Sequence, residues 1–230
     1  MNRWLRRGIY LFMGILLSIV VLFSVVEWIA FDMDYYMEQF ERNNVPEVTG
    51  MDPDQLRYTM EDMFEYLRGD DRHRLETEAY FGDELRPVYG EREILHMVDV
   101  RDLFVGGRRL RNVGIILLLV LAFVMVKKDD RWKKGFTGLF AYTMVGNLLF
   151  FGLLALLMYI DFTKYFTIFH LIFFDNDLWI LNPRTDTLIQ MVPEPFFYHT
   201  AYKITMYYSA VIGGLGLLGW GIKLRMKKGW

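Results

Sequence analysis

The sequence predicts an all-α polytopic membrane protein with four transmembrane helices, both termini cytoplasmic, and an extracellular helical subdomain between the first and second spans. Three observations predict it. Hydrophobic residues make up 53% of the 230 and aromatic residues 17%, more apolar side chain than an average soluble domain of this length carries. Four apolar runs approach the roughly twenty residues that a helix needs to cross a hydrocarbon core of about 30 Å. Basic residues gather in three short clusters, which all fall on one side of a membrane if the chain crosses it four times.

The runs cover 9–31, 113–126, 135–160 and 204–222. The first follows Arg3, Arg6 and Arg7. It is too long for the apolar core of a signal peptide and no small-x-small site follows it, so it reads as a retained anchor, with a cleaved signal as the alternative. The second is short unless its helix begins near Leu110. Lys127, Lys128, Arg131, Lys133 and Lys134 fill the turn between the second and third runs, and Lys223, Arg225, Lys227 and Lys228 follow the fourth. The net charge of −2 hides this division, because acidic residues crowd 32–102. Chain organisation follows: one membrane domain over 1–230, an extracellular helical insertion at 32–108 and an extracellular active-site loop at 161–203. There is no cysteine, which excludes disulfides and thiol chemistry.

The insertion carries helix signals. Asp52 reads as an N-cap with Pro53 at the first helical position; Leu56, Met60, Met63, Phe64 and Leu67 recur at helical spacing, and Gly69 ends the run. A second pattern, EREILHMVDVRDLF at 91–104, sets Ile94, Met97, Val98 and Leu103 around one broad face. It either lies at the outer membrane surface or enters the second span after a break at Gly106-Gly107. Pro183, Pro193 and Pro195 mark 181–197 as an ordered non-helical loop.

Familiar catalytic signatures are missing: no Walker loop, GxGxxG, GxSxG or HExxH is present. What remains is His96 with Asp99, and His170 with Asp175 and Asp177. A histidine with an ordinary pKa of about 6.5 accepts and returns protons near neutrality, and a carboxylate on its other nitrogen fixes tautomer and orientation. That suits acyl transfer or hydrolysis. Plainer readings stand beside this one. An interfacial histidine is commonly the polar tip of an amphipathic ring. His73 between Arg72 and Arg74 belongs to a solvated charged run; His199 belongs to an aromatic belt with Tyr198, Tyr202, Tyr207 and Tyr208; Asp175-Asn176-Asp177 is also a turn signal. The apolar company of His170, with Phe169, Leu171, Ile172, Phe173 and Phe174, pulls the ring toward lipid depth, where an ionisable group is functional by default. A metal centre built from His96, Asp99, His170, Asp175 and Asp177 competes, but no two histidines stand three or four apart. Neither a metal nor another cofactor is expected.

Two blocks, EREILHMVDVRDLF before the second span and FHLIFFDNDLWILNPRTDTLIQMVPEPFF after the third, resemble the bacterial membrane-protein family that includes the lipoprotein intramolecular transacylases. The resemblance extends over nearly the whole chain in length, span order and loop placement. It implies an enzyme of the bacterial plasma membrane, its site at the extracellular face, that moves the sn-2 acyl chain of a diacylglyceryl-modified cysteine onto that cysteine's own α-amino group. The product is a lyso-form lipoprotein. Matched residue by residue, the family's two catalytic histidines are His96 and His170. Diacylglyceryl-modified bacterial lipoproteins and membrane lipid are the implied partners, and no nucleic acid is.

On that footing His96 and His170 are expected to form an acid–base pair, with Asp99 orienting His96. Asp175, Asn176 and Asp177 orient His170, hold the loop or bind the substrate ammonium, while Asn176 and Arg101 donate to an oxyanion. Trp179, Phe173, Phe174, Phe196 and Phe197 line the acyl pocket or the interface. Two alternatives stay open, a non-enzymatic membrane binding or assembly protein for lipidated partners and a metal-dependent membrane hydrolase. Histidine-to-glutamine variants discriminate the first, and chelation the second.

Overall fold

The structure, a computed structural model, describes residues 2–69 and 74–227, so His73 lies outside the described residues. The elements run α1 (Arg3–Ala30), α2 (Met33–Arg42), α3 (Val45–Thr49), α4 (Pro53–Leu67), β1 (Glu78–Phe81), β2 (Glu84–Pro87), α5 (Glu91–Lys128), α6 (Trp132–Ile160), α7 (Phe162–Phe173), α8 (Thr187–Met191) and α9 (Glu194–Lys227). The chain is mostly helical. Among the described residues three helices, α1, α5 and α6, are long and apolar enough to cross a membrane. The fourth run lies inside α9, where Gly213, Gly214, Gly216, Gly219 and Gly221 with Tyr207 and Tyr208 dilute the apolar residues.

The chain divides into two compact units. One comprises Met1–Val26, Arg108–Tyr159 and Lys203–Trp230. It holds the apolar stretches of the long helices, and many of their large side chains are uncovered, among them Ile116, Leu119, Leu149 and Leu218. In water such continuous apolar exposure is unstable; in lipid it is the solvated state. Its interior gathers Tyr10, Met13, Met125 and Leu139. Helices α1 and α6 approach closely where Gly14 faces Thr143: a Cβ on Gly14 would come within 2.6 Å of Thr143 Oγ1. Ser18, Asn147 and Tyr208 of this unit bond to one another or to the helix backbone. Asn147 Nδ2 donates to Ser18 Oγ at 2.8 Å and to the Thr143 carbonyl at 2.7 Å. Ser18 Oγ donates to the Gly14 carbonyl at 2.8 Å, and the Tyr208 hydroxyl donates to Asn147 Oδ1.

The other unit comprises Glu27–Gly107 and Ile160–Tyr202. The Asp52 carboxylate accepts from Gln55 N–H at 2.8 Å and so caps α4. Leu56, Met60, Met63, Phe64 and Leu67 are buried, as their spacing predicts. They pack with Phe40, Val45, Met51, Leu75, Val88, Met97 and Met191 into one core.

Three expectations need correction. First, the chain is not all-α: β1 and β2 form an antiparallel hairpin pairing Phe81 with Glu84. Gly82, at φ 64°, supplies the left-handed residue that a two-residue turn requires. Second, α5 continues through Gly106-Gly107 without a break. Glycine costs about 1 kcal/mol per helical position, too little to outweigh the hydrogen-bonded turns on either side. Third, 181–197 contains helix α8 and the start of α9. Pro195 sits in the first turn of α9, where its missing N–H has no intrahelical partner to lose.

Candidate active site

The site is built where α5 and α7 carry their histidines. Helix α5 begins just after Gly90, whose N–H donates to Glu93 Oε2 at 2.6 Å, the returning half of a capping box. The other oxygen of Glu93 accepts from Leu188 N–H, also at 2.6 Å. One buried carboxylate therefore caps its own helix and holds the start of α8. Burial raises its pKa, and the two backbone donors oppose that rise. Helix α7 is capped by Asp161, which accepts from Lys164 N–H at 3.0 Å. It ends at Phe174, whose extended backbone donates its N–H to the His170 carbonyl at 2.9 Å.

His96 and His170 are both buried, each 7% exposed, with ring centroids 6.3 Å apart. Trp179 stacks on His170 at 4.7 Å and Phe166 meets it edge-on at 4.4 Å. Phe174 lies against both rings, 5.3 Å from His96 and 5.6 Å from His170. Aromatic contacts of this kind are worth about 0.5–1.5 kcal/mol each beyond burial, enough to hold both rings in one orientation.

The hydrogen bonds assign a tautomer. His170 Nδ1 donates to the Phe166 carbonyl at 2.7 Å. A carbonyl only accepts, so Nδ1 carries the proton and Nε2 is the basic nitrogen of the neutral ring. His96 Nδ1 is buried without a hydrogen-bond partner among the described residues. An orphaned buried nitrogen costs about 1–3 kcal/mol and calls for an explanation beyond structure. His96 precedes the apolar stretch of α5, which begins past Arg108, Arg109 and Arg111. Its pKa is lowered from 6.5 to about 4, by burial first and by the neighbouring His170 second, with Asp99 opposing both. Burial also lowers the pKa of His170, against the Phe166 hydrogen bond. Both rings are neutral at neutral pH, each able to accept or donate.

The Asp175-Asn176-Asp177 segment is the tether of the site. Asn176 Oδ1 accepts from Leu178 N–H at 3.0 Å in an Asx turn, its Nδ2 donates to Asp99 Oδ2 at 2.8 Å, and its carbonyl accepts from Trp179 Nε1 at 3.0 Å. Asp99 thus binds the loop, where sequence spacing had it orienting His96. Arg92 completes the tether. Its guanidinium donates to the Ile180 carbonyl at 3.2 Å and to the Asp177 carbonyl, and lies 3.4 Å from Asp177 Oδ1. Asp175 and Phe173 are exposed. Arg101 lies over the Tyr66 ring at 5.3 Å. Phe196 packs with Tyr35 and Tyr36 in the core, and Phe197 backs Phe166 at 5.0 Å.

Sequence reasoning overlooked Arg92, Phe166 and Glu93. The first two carried a signal: Arg92 precedes His96, and Phe166 precedes His170, by one helical turn.

The family model of the lipoprotein intramolecular transacylase Lit matches residues 11–197. The chain belongs to the lipoprotein intramolecular transacylase family. It is accordingly an acyltransferase of membranes whose substrates are lipoproteins. Among solved structures, the membrane integral lipoprotein intramolecular transacylase Lit from Bacillus cereus, determined in meso, is 21% identical with a TM-score of 0.76, covering 99% of this chain and 98% of that one. Two variants of the Bacillus cereus protein are similar at 20% identity. One has a histidine replaced by arginine, with a TM-score of 0.68 and coverage of 100% of this chain and 98% of that one. The other has a histidine replaced by alanine, with a TM-score of 0.67 and coverage of 99% and 100%. These likenesses extend the shared fold over the whole family member. No curated protein sequence matches the chain.

Proposed function

We propose that the chain moves the sn-2 acyl group of a diacylglyceryl-modified N-terminal cysteine to the α-amino group of the same cysteine, using His96 and His170 as an acid–base pair. The observation that carries this reading is two buried imidazoles 6.3 Å apart, contributed by different helices, with Nδ1 of His96 without a hydrogen-bond partner among the described residues. Ester and amine belong to one molecule, so the protein has to fold that molecule into an attacking geometry rather than supply a nucleophile. His170, held through Nδ1 by the Phe166 carbonyl, takes a proton from the attacking amine through Nε2. The amine nitrogen bonds to the ester carbon, and a donor N–H of neutral His96 stabilises the oxyanion. The carbon–oxygen bond to glycerol then breaks and the glycerol oxygen takes the proton held by His170. An amide replaces an ester, and no water or co-reactant is consumed.

The proposed setting is the bacterial plasma membrane, crossed four times, with both termini cytoplasmic and the histidines at the extracellular face. Support comes from charge: Arg3, Arg6, Arg7, the five cations from Lys127 to Lys134, and Lys223 with Arg225 flank the long apolar helices at ends remote in sequence from both histidines. The segments assigned outside, 32–108 and 161–203, coincide closely with the unit that contains both histidines. The acyl ester of a lipid-anchored peptide stays near the interface, which is where such a site has to work.

Fragmentation mass spectrometry of a lipoprotein N-terminus, from cells with and without this chain, tests the chemistry. The expected product carries one acyl group on nitrogen and one on glycerol; two acyl groups remaining on glycerol would reject the reading. Single cysteines introduced at Glu65 and Asp186 of this cysteine-free chain test the orientation. Labelling from the cytoplasmic side alone would overturn it.

A further inference from the structure

We propose that the groove between α1 and α6 binds one anionic phospholipid, a site separate from the histidine pair and resting on membrane insertion rather than on the catalytic assignment. The groove encloses about 750 Å³, within the range of about 300–1,000 Å³ typical of small-molecule sites. Its two ends differ in chemistry. Arg6, Arg7, Arg131 and Lys134 line one end. Asp129 lies 3.7 Å from Arg6 and accepts from the Tyr10 hydroxyl at 3.1 Å, so it offsets one cation and leaves the others in excess. At the far end Ser18, Thr143 and Asn147 are bonded to one another and close the groove without needing a ligand.

Between the ends the walls are apolar and open sideways. Leu11, Ile15 and Tyr142 line the groove while 66%, 53% and 80% exposed. Gly138 leaves room beside Tyr142, since a Cβ there would meet nothing nearer than 3.7 Å. From Arg6 to Ser18 the groove runs about 18 Å along α1, slightly more than half of a hydrocarbon core of about 30 Å. A phosphate at the basic end with an acyl chain laid along Leu11 and Ile15 fits both length and polarity. Free phosphate would use only the basic end, and a zwitterionic lipid would bring its own cation to a cationic mouth. The clusters that orient the protein thus also mark a lipid site.

The test is native mass spectrometry of the delipidated full chain in detergent, titrated with phosphatidylglycerol or phosphatidylcholine of equal chain length. The expected result is preferential retention of phosphatidylglycerol by about fivefold or more, the worth of one cation near a lipid phosphate. Combining Arg131→Gln with Lys134→Gln should weaken phosphatidylglycerol about twenty-five-fold and phosphatidylcholine little. Arg131 and Lys134 are exposed, so the melting temperature should hold; Arg131→Gln alone, losing about fivefold, carries the test if the double variant does not purify. Gly138→Leu fills the wall and should displace the lipid with the cations intact. Equal binding of the two lipids, or a preference surviving both the charge and the wall variants, overturns the proposal. So does full displacement by inorganic phosphate at equal concentration, which would make the site one for free phosphate.

Discussion

Two polar constellations, one half-buried and one buried, invite comparison. In one unit Tyr208 donates to Asn147, Asn147 to Ser18 and Ser18 to the Gly14 carbonyl, all among apolar helices. In the other, His96 and His170 sit among Phe166, Phe174 and Trp179, and the buried Nδ1 of His96 has no partner among the described residues. The first is closed and the second is open. A satisfied network of polar side chains between transmembrane helices adds specificity at modest energy, about 0.6 kcal/mol per contact on average. An unsatisfied imidazole lowers stability and is kept when something outside the protein completes it. Burial alone does not distinguish glue from chemistry; the hydrogen-bond account does.

The sharpest way to break this contrast is to remove each histidine. His96→Ala or His170→Ala should lower the acyl shift by about 10²–10⁴-fold, and the double variant should be scarcely worse because the pair acts as a unit. His199→Ala should keep most activity. The amount of N-acylated lipoprotein peptide, at matched protein levels, measures all of these. Near-normal product from either single variant would sink the pair.

A smaller effect is expected where the loop is tied down. Arg92→Gln releases the carbonyls of Asp177 and Ile180, and Trp179→Ala removes the ring stacked on His170. Misplacing a reacting group by about 1 Å costs up to about 10²-fold, so each should slow turnover by about ten- to a hundredfold. Thermal stability should change little by comparison. If either variant melts far earlier and keeps full specific activity, the tether is structural only.

Acidity separates the two constellations in another way. The His96 pKa is lowered from 6.5 to about 4 and that of His170 is also lowered, so the unfolded chain binds more protons than the native one between those values. Stability should therefore be full above about pH 6.5 and decline as pH falls toward about 4. His96→Gln, which cannot titrate, should flatten that decline in melting curves recorded in detergent, while Asn147→Ala should leave its slope alone. An unchanged slope in His96→Gln would place the acid sensitivity elsewhere. The acid limb of kcat/KM should likewise lie below 6.5, the base being needed neutral.

The smallest effect belongs to the closed network. Asn147→Ala should cost about 0.6–1.7 kcal/mol, seen as a modest fall in melting temperature with the acyl shift retained. A large loss of activity with an unchanged melting temperature would move Asn147 into the chemistry.

Much of the fold was legible from residue order because helices are built from local bonds. Asp52 and Pro53 start α4, and Leu56, Met60, Met63, Phe64 and Leu67 face its core as their spacing requires. The apolar runs mark α1 and α6 nearly end to end, while the run at 113–126 covers only part of the 38 residues of α5. The hairpin at 78–87 was missed although a Gly-Asp turn announces it, because its strands are four residues each and weakly patterned. The prolines of 181–197 look like breakers in sequence, yet Pro195 lies in the first turn of α9, since the same residue stops a helix interior and suits its first turn.

The histidine pair divides differently. Sequence alone determined that His96 and His170 are ionisable groups in apolar company, each on a stretch outside the long apolar runs, and resemblance paired them. Only tertiary structure decided that the rings stand 6.3 Å apart, that Asp99 accepts a hydrogen bond from Asn176, and that Arg92 clasps the loop bearing Trp179. A helical turn repeats every 3.6 residues and leaves its trace in the order of side chains. A contact between α5 and α7 depends on the sum of many packing choices across distant segments, each worth a fraction of a kcal/mol, and no short stretch of sequence records that sum.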